Sequence, residues 1–268
     1  MKHIFGALAL CAATALPGHA HEYWLEAENH QIAAGETAEL GIFVGTEMTG
    51  SEMPYFPRHY RSLELFAADG EPRPIEGRLG ARPAIVLEAL EPGAYIVAQV
   101  TSDNELTYRE PGKFASFLAS EGLSPILDRH VARGLPETGF SESYSRAAKA
   151  LLSVGGAAGA DRSLGLPVEL IALNDVFEPG ATVELRYDFD GAPQPEARIN
   201  LFHRAEDGTV TLHHLTTDAE GRATVPAIGP GFYLANAVFM EPREPVEDGD
   251  PVWHSHWASL TWTREAGD

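Results

Sequence analysis

Short runs of apolar and β-branched residues, separated by glycine- and proline-containing turns, make up most of the chain. In the run 38–44 (AELGIFV), apolar residues at every second position give the period of a half-buried strand. Similar runs in the first half and in the second half of the chain lie at 62–66, 84–87, 95–100, 168–173, 182–189, 198–203, 209–215, 222–226, 232–239 and 253–263. This pattern predicts a mostly β protein.

The hydrophobic period changes between these two groups of strands. Residues 113–121 (KFASFLASE) place their large apolar side chains on one helical face, and Gly122 follows as a C-cap. Two more helices are predicted, at 125–133 and at 141–152 (SESYSRAAKALL). The glycine-rich stretch 155–159 (GGAAG) then indicates a linker.

The domain organisation follows from these elements. Residues 21–110 are predicted to form an N-terminal β domain, residues 111–160 a helical insert with its linker, and residues 161–268 a C-terminal β-sandwich domain. About seven short strands in about a hundred residues is the spacing of an immunoglobulin-like sandwich. The expected fold is therefore two immunoglobulin-like β-sandwich domains with a small helical insert between them.

Residues 1–20 have the three parts of a secretory signal peptide. A short basic start is followed by the apolar run 4–16, and Gly18 and Ala20 supply the small residues that a signal peptidase reads. The apolar run is too short to cross a bilayer. Cleavage after Ala20 leaves His21 as the first residue of a mature chain exported to the periplasm.

Charge and cysteine content narrow the possible partners. The formal net charge is −20, and such an acidic surface repels nucleic acid and anionic lipid, so neither is an expected partner. Direct membrane insertion is not expected either, since no other stretch is long and apolar enough. The single cysteine, Cys11, lies inside the signal, so the mature chain has neither disulfide nor thiolate ligand.

His21 is the most suggestive residue for metal chemistry. An N-terminal histidine offers a free α-amine and its own imidazole Nδ1, which chelate one metal ion together, and a metal can deprotonate the amine at neutral pH. Such nitrogen ligands suit Cu(II) and Ni(II) better than hard cations. The alternative is that processing merely exposes an ordinary surface histidine.

A second candidate is the histidine pair in 253–257 (WHSHW). In a strand His254 and His256 point to the same face, because the side-chain period is two. Two such imidazoles can share one ion, so His21, His254 and His256 are predicted to form a nitrogen-rich site for nickel, cobalt or copper. The alternative is a pair of histidines hydrogen-bonded to nearby carboxylates.

The sequence resembles a family at its mature start and along most of its length. The segment 21–26 (HEYWLE) resembles the start of the NikM-like family of unknown function, whose members are linked to nickel or cobalt uptake. Further resembling segments follow in order at 113–123, 144–151, 165–170 (GLPVEL), 217–223 (TDAEGRA) and 257–262 (WASLTW). The resemblance implies a periplasmic protein with β-sandwich domains that is associated with metal import. It supplies no ligand set, although the start of the family pattern falls on His21.

Three functions are compatible with these observations. The first is a transition-metal-binding protein that acquires, buffers or delivers its ion to an outer- or inner-membrane transporter. The second is a metal-free module that recognises a peptide, a glycan or an outer-membrane partner through loops such as 53–57 (MPYFP). The third is a copper oxidase with an N-terminal histidine brace. Because the common hydrolase, nucleotide and metalloprotease motifs are missing from the sequence, we expect a protein that is not an enzyme.

Overall fold

The structure, a computed structural model, describes residues 22–68, 70–159 and 161–266. The strands of the described residues are β1 (Glu22–Ala27), β2 (Gln31–Ile32), β3 (Ala38–Thr46), β4 (Thr49–Met53), β5 (Tyr60–Ala67), β6 (Arg73–Pro74), β7 (Ile85–Leu87), β8 (Gly93–Thr101), β9 (Asn104–Tyr108), β10 (Phe140–Val154), β11 (Val168–Ala172), β12 (Glu184–Phe189), β13 (Ala192–Pro193), β14 (Arg198–Arg204), β15 (Val210–Thr216), β16 (Arg222–Thr224), β17 (Gly231–Pro242) and β18 (Trp253–Arg264). The helices are α1 (Lys113–Ser120) and α2 (Pro125–Ala132), with a 3₁₀ turn at Pro57–His59. The prediction of a mostly β protein is confirmed.

A ten-stranded sheet forms the centre of the molecule. Its strands lie in the order β15-β14-β17-β18-β10-β8-β5-β6, and β2 and β9 also pair with β10. Two four-stranded sheets complete the fold, one of β1, β3, β4 and β7 and the other of β11, β12, β13 and β16. Strands from both halves of the sequence thus meet in one sheet, joined where β10 runs parallel to β18. The boundaries at residues 110 and 160 stay predictions.

The two smaller sheets cover opposite faces of the central sheet. Alternate residues of β10 show this, because Ala147 and Leu151 belong to one hydrophobic core and Ala148 and Leu152 to another. The first core is shared with β11 and β12, and the second with β1 and β3. The result is a sandwich-like arrangement of three layers, in which each layer buries an apolar face.

Strand β10 corrects one prediction from the sequence. Residues 141–152 were expected to form a third helix, yet they are extended and pair with β8, β9 and β18. The run is rich in alanine and leucine, which favour helices. Tertiary pairing overrides that weak preference, and the small side chains of Ala148 and Ala150 are fully buried in the core shared with β1 and β3.

The helices at 113–121 and 125–133 are confirmed to within one residue. They cover one end of the central sheet, where Phe117 of α1 stacks on Trp257 with ring centroids 5.6 Å apart. Trp253 Nε1 donates a hydrogen bond to Nδ1 of His130 in α2 at 3.0 Å. Both helices are therefore anchored on β18, and α1 ends next to the start of β1.

Candidate functional site

A small pocket lies where β1 begins and α1 ends. It has a volume of about 220 Å³. Its polar side chains come from five separate parts of the chain, and these are Glu22, Thr46, Glu47, Ser120, Glu121, Arg198, Asn200 and His214. Glu22 and Glu121 are its two buried carboxylic acids. The pocket therefore gathers acidic groups that are about a hundred residues apart in the sequence.

The two acids of this pocket hold protons more tightly than ordinary glutamates. The pKa of Glu22 is raised to about 8, mainly by burial and in part by the negative charge of Glu121, while backbone hydrogen bonds oppose the shift. Burial likewise raises the pKa of Glu121 to about 7, while hydrogen bonds from Ser120 and Asn200 and the charge of Arg198 oppose the shift. At neutral pH the pocket thus holds protons that a bound cation would displace.

A chain of hydrogen bonds links His214 to Glu121. Asn200 Nδ2 donates to Glu121 Oε2 at 3.0 Å, which leaves Asn200 Oδ1 as an acceptor for His214 Nδ1 at 2.8 Å. His214 must then carry its proton on Nδ1, so its Nε2 keeps a free lone pair. Partial desolvation and the charge of Arg198 lower the pKa of His214, which favours this neutral form. An imidazole oriented in this way is the usual form of a metal-binding histidine.

His21 lies outside the described residues, and its predicted ligand role stays a prediction. A peptide bond joins it to Glu22, whose carboxylate faces the pocket and accepts a hydrogen bond from Glu47 N at 3.0 Å. The side chain of Glu22 lines this pocket.

The histidine pair lies on the other side of the central sheet. Thr261 Oγ1 donates to Leu25 O at 2.6 Å, so β1 covers the face of β18 that carries Thr261. His254 and His256 occupy the alternate positions of β18 and therefore point to the opposite face. Because the sheet separates this pair from Glu22, we treat the pocket and the histidine pair as two separate candidates.

The two histidines do share one face, as the spacing predicted. Their ring centroids are 4.2 Å apart. However, both nitrogens of His254 are engaged: Arg243 Nη2 donates to Nδ1 at 3.2 Å, and Ser145 Oγ lies 3.2 Å from Nε2. Ser143 Oγ also lies 2.7 Å from Nδ1. A cation bound to that nitrogen would meet a guanidinium group.

His256 has the carboxylate partner that the alternative explanation expected. Its Nε2 lies 3.1 Å from Glu241 Oε1, and its buried Nδ1 has no partner among the described residues. The pKa of His254 is lowered to about 4, mainly by burial and in part by the neighbouring His256 and Arg243. The pair therefore offers a single free nitrogen lone pair, which is too few for a metal site on its own.

Taken alone, the described parts of the chain supply no complete metal site. Within residues 22–68, 70–159 and 161–266, no three His, Cys, Asp or Glu side chains are grouped so that they could hold an ion. Glu121 and His214 were not singled out from the sequence as site residues. In the sequence Glu121 lies at the end of a predicted helix, and His214 is one of two adjacent histidines. No local pattern therefore marks either of them as a site residue.

A second cleft, of about 410 Å³, lies on the same side of the sheet as β1. Tyr23, Tyr60, Tyr144 and Arg146 line it. The guanidinium carbon of Arg146 lies 4.6 Å from the ring centroid of Tyr144 and 5.3 Å from that of Tyr23. Arg146 Nε is buried and has no hydrogen-bond partner among the described residues. The cleft thus combines aromatic faces with a cationic donor.

The loop 53–57, suggested from the sequence as a contact loop, presents its aromatic side chains only in part. Tyr55 is 7% exposed and belongs to the core shared by β1 and β3, whereas Phe56 is half-buried. Met53 and Pro54 line the second cleft. The loop therefore contributes part of the wall of this cleft.

The layered fold and the two clefts define a mostly β protein with candidate binding sites on one side of its central sheet. None of the helices in the described segments is long and apolar enough to cross a membrane. The model of the family described as Domain of unknown function (DUF4198) matches residues 18–241, so the chain belongs to that family. No curated protein matches the chain.

Several solved structures match the chain, and the likeness to one of them is limited. That structure is the tetra-tandem repeat in the extending region of a large adhesion protein, with 11% sequence identity and a TM-score of 0.21. The match covers 91% of this chain and 49% of that one, so the chain spans about half the length of the structure it matches. At this TM-score the likeness carries no argument for fold or function.

Proposed function

We propose that the mature protein binds one transition-metal ion at the pocket beside Glu22. The ligands would be the α-amine and imidazole of an N-terminal His21 together with the carboxylates of Glu22 and Glu121. The observation that carries the proposal is the buried pair of carboxylic acids, Glu22 and Glu121, in one pocket. Glu22 follows directly after His21, which signal cleavage would expose.

The chemistry of these groups supports a metal ion as the ligand. Two buried carboxylic acids beside each other cannot both ionise cheaply, so they either keep protons or bind a cation. A metal ion would replace those protons, and His21 would add two nitrogen ligands. A mixed nitrogen and oxygen set suits Cu(II) or Ni(II), and the usual affinity order favours copper where geometry permits.

The biological role that we propose is metal acquisition in the periplasm. The chain would take up or buffer nickel, cobalt or copper and pass it to a membrane transporter. Such a role requires a reversible site and no turnover, so we propose a binding protein and not an enzyme. The resemblance to the nickel- and cobalt-linked family supports this choice of cargo.

Calorimetry on the exported protein tests the proposal. The mature chain with an authentic His21 start is titrated with Cu(II), Ni(II), Co(II) and Zn(II), each in turn. A second preparation carries one extra residue before His21, which removes the free amine from that position. A third carries Glu121→Gln, which keeps the shape of the side chain but removes its charge. We expect each change to weaken binding at least tenfold, a loss of about 1.4 kcal/mol or more.

The double variant His254→Ala, His256→Ala is the matched control. Because the sheet separates that pair from Glu22, we expect metal affinity to stay unchanged in it. Loss of binding in this control, with full affinity in Glu121→Gln, would move the site to the histidine pair. Tight binding that survives the extra N-terminal residue and Glu121→Gln would refute the proposed pocket. If copper binds, a peroxide-dependent oxidation assay separates a carrier from a histidine-brace oxidase.

The second cleft favours one alternative, a metal-free module. Arg146 with its unpartnered Nε among three tyrosines suits a ligand that carries a carboxylate next to sugar rings or aromatic groups. Acidic cell-wall muropeptides are a suitable probe, with tryptophan fluorescence measured in the presence of a chelator. The alternative predicts saturable binding that Arg146→Gln weakens at least tenfold, and no response at any concentration would exclude this probe class.

A further inference from the structure

One lysine and two acidic side chains meet in the interior between β10 and β11. Lys149 Nζ lies 2.7 Å from Asp161 Oδ1 and 3.0 Å from Glu169 Oε1. The side chains of Lys149, Asp161 and Glu169 are only 1%, 0% and 2% exposed. An amine and two carboxyls are thus held in contact in the near absence of water, far along the chain from the pocket beside Glu22.

The charges of this cluster do not cancel. One ammonium faces two carboxylates, and burial of unbalanced charge is expensive. Burial raises the pKa of Asp161, although the charge of Lys149 and hydrogen bonds oppose this shift. Passing one proton from Lys149 to Asp161 converts two buried ions into a neutral amine and a neutral acid. A neutral lysine amine in contact with a carboxylic acid is a nucleophile beside an electrophile.

Backbone groups are placed to activate Asp161. The N–H of Ala172 donates to Oδ2 at 2.8 Å, and the N–H of Arg162 donates to Oδ1 at 2.8 Å. Fixed donors of this kind stabilise the negative charge that develops on oxygen when a carboxyl carbon is attacked. Both donors belong to the backbone, so they require no reorganisation during the reaction.

Glu169 is held in position to move protons. Its Oε1 accepts hydrogen bonds from Lys149 Nζ and from Leu164 N at 2.8 Å, and its Oε2 accepts one from Ser163 Oγ at 3.0 Å. The carboxylate therefore contacts the attacking amine directly while the rest of its hydrogen bonds fix its orientation. This is the arrangement of a general acid–base group.

We propose that Lys149 and Asp161 join in an intramolecular isopeptide bond, with Glu169 as the catalytic acid–base. After one proton passes from Nζ to Asp161, the amine lone pair attacks Cγ and a C–N bond forms. Glu169 takes the next proton from nitrogen and gives it to the departing hydroxyl group. The C–O bond breaks and water leaves. One ammonium and one carboxylate thus become one amide and one water, with no oxidant or reductant.

Rigid positioning makes this condensation feasible inside a folded chain. Lys149 lies in the central strand β10, opposite Leu260 of β18, and Glu169 lies in β11 opposite Asp188 of β12. Groups fixed at contact distance react with effective concentrations far above those reached in solution. The product would close a covalent ring from residue 149 to residue 161, which includes the glycine-rich linker.

Tryptic peptide mapping of the denatured wild-type protein tests the proposal. Trypsin cuts an unmodified chain after Arg146, Lys149 and Arg162, giving peptides 147–149 and 150–162. A lysine whose side chain is an amide resists trypsin. We expect a single peptide spanning 147–162, lighter than its sequence mass by one water. Recovery of the two separate peptides in full yield, with unaltered masses, would overturn the proposal and leave a buried ion cluster.

Two variants establish the role of Glu169. Glu169→Gln keeps Lys149 and Asp161 but removes the proton carrier, so we expect cleavage at Lys149 to return. Asp188→Asn is the matched control, because it changes a buried carboxylate at the paired position of β12. It should leave the fused peptide intact. If Glu169→Gln fails to fold, the wild-type map alone still decides whether the bond exists, and a fused peptide in a folded Glu169→Gln would remove Glu169 from the reaction.

Discussion

Tyr108 Oη donates a hydrogen bond to Glu142 Oε2 at 2.7 Å, and both side chains are buried next to the helices. Ser255 donates to the other oxygen of the same carboxyl group. Even with two hydroxyl donors, burial dominates and raises the pKa of Glu142 to about 7. The folded protein thus binds this proton more tightly than the unfolded chain does, and stability depends on pH.

Replacing Glu142 with glutamine should flatten part of that pH dependence. A raised folded-state pKa contributes stability that is complete below about 4.5, the usual pKa of glutamate, and is lost as pH rises toward 7. One such group changes the free energy of unfolding by about 1 kcal/mol per pH unit in this window. We expect urea titrations between pH 5 and 7.5 to show a smaller decrease for Glu142→Gln than for the wild type.

Tyr108→Phe is the control for this experiment. It removes one hydrogen bond but keeps the buried carboxyl group of Glu142. The free energy of unfolding should therefore be lower by about 1 kcal/mol, and it should still decrease as pH rises. Equal pH slopes for Glu142→Gln and the wild type would contradict the assignment.

The glycines that follow the two helices should differ in their tolerance of alanine. Gly122 and Gly134 have φ angles of +74° and +69°, so alanine is strained at both, at a cost of about 1 kcal/mol. A Cβ on Gly122 would also lie 2.7 Å from Arg198 Cβ, whereas a Cβ on Gly134 meets nothing within 4 Å. We therefore expect Gly122→Ala to lower the urea midpoint clearly more than Gly134→Ala. Similar midpoints for the two variants would show that Arg198 moves away without cost.

Leucine at position 150 should overfill the space between the layers. Ala150 is fully buried in the central strand β10. Extra methylene groups in a packed core cost about 1–3 kcal/mol. Ala192→Leu, on the exposed strand β13, adds the same atoms at the surface and should change stability by less than about 0.5 kcal/mol. Thermal unfolding compares the two, and equal melting temperatures would indicate a cavity next to Ala150.

His30 should make the fold sensitive to acid. Its ring is fully buried, with Nδ1 2.7 Å from Leu151 O, and burial lowers its pKa to about 4. A lowered folded-state pKa contributes stability at pH values above about 6.5, and this is lost as pH falls toward 4. We expect His30→Gln, which keeps a donor for Leu151 O but cannot titrate, to lose less stability between pH 6.5 and 4.5. Parallel losses in the two proteins would place the acid-sensitive group elsewhere.

Local patterns predicted the strands well because each strand carries its own signal. The run 38–44 has an apolar residue at every second position, and the structure has a strand at Ala38–Thr46. Strand β10 was missed because its alanine-rich sequence favours a helix locally. Its pairing with β18 joins residues more than a hundred positions apart, for example Ser143 with His254, and no local pattern encodes such a contact.

The same limit applies to the candidate sites. A period of two was enough to place His254 and His256 on one face. Their partners come from a parallel neighbour and from β17, so the engagement of their nitrogens was not predictable. Glu22 and Glu121 likewise meet only through the packing of α1 on the central sheet. Sequence alone identified the type of donor but not the set of side chains that the fold brings together.

The position of β18 has a consequence for how the protein matures. Residues 253–264 lie between β17 and β10, so they connect the two halves of the central sheet. Until this segment has been synthesised, the sheet exists only as two fragments with unpaired inner edges, and pairing across so long a stretch of chain is slow. A polypeptide built in this way completes its central sheet only after residue 264 has been synthesised.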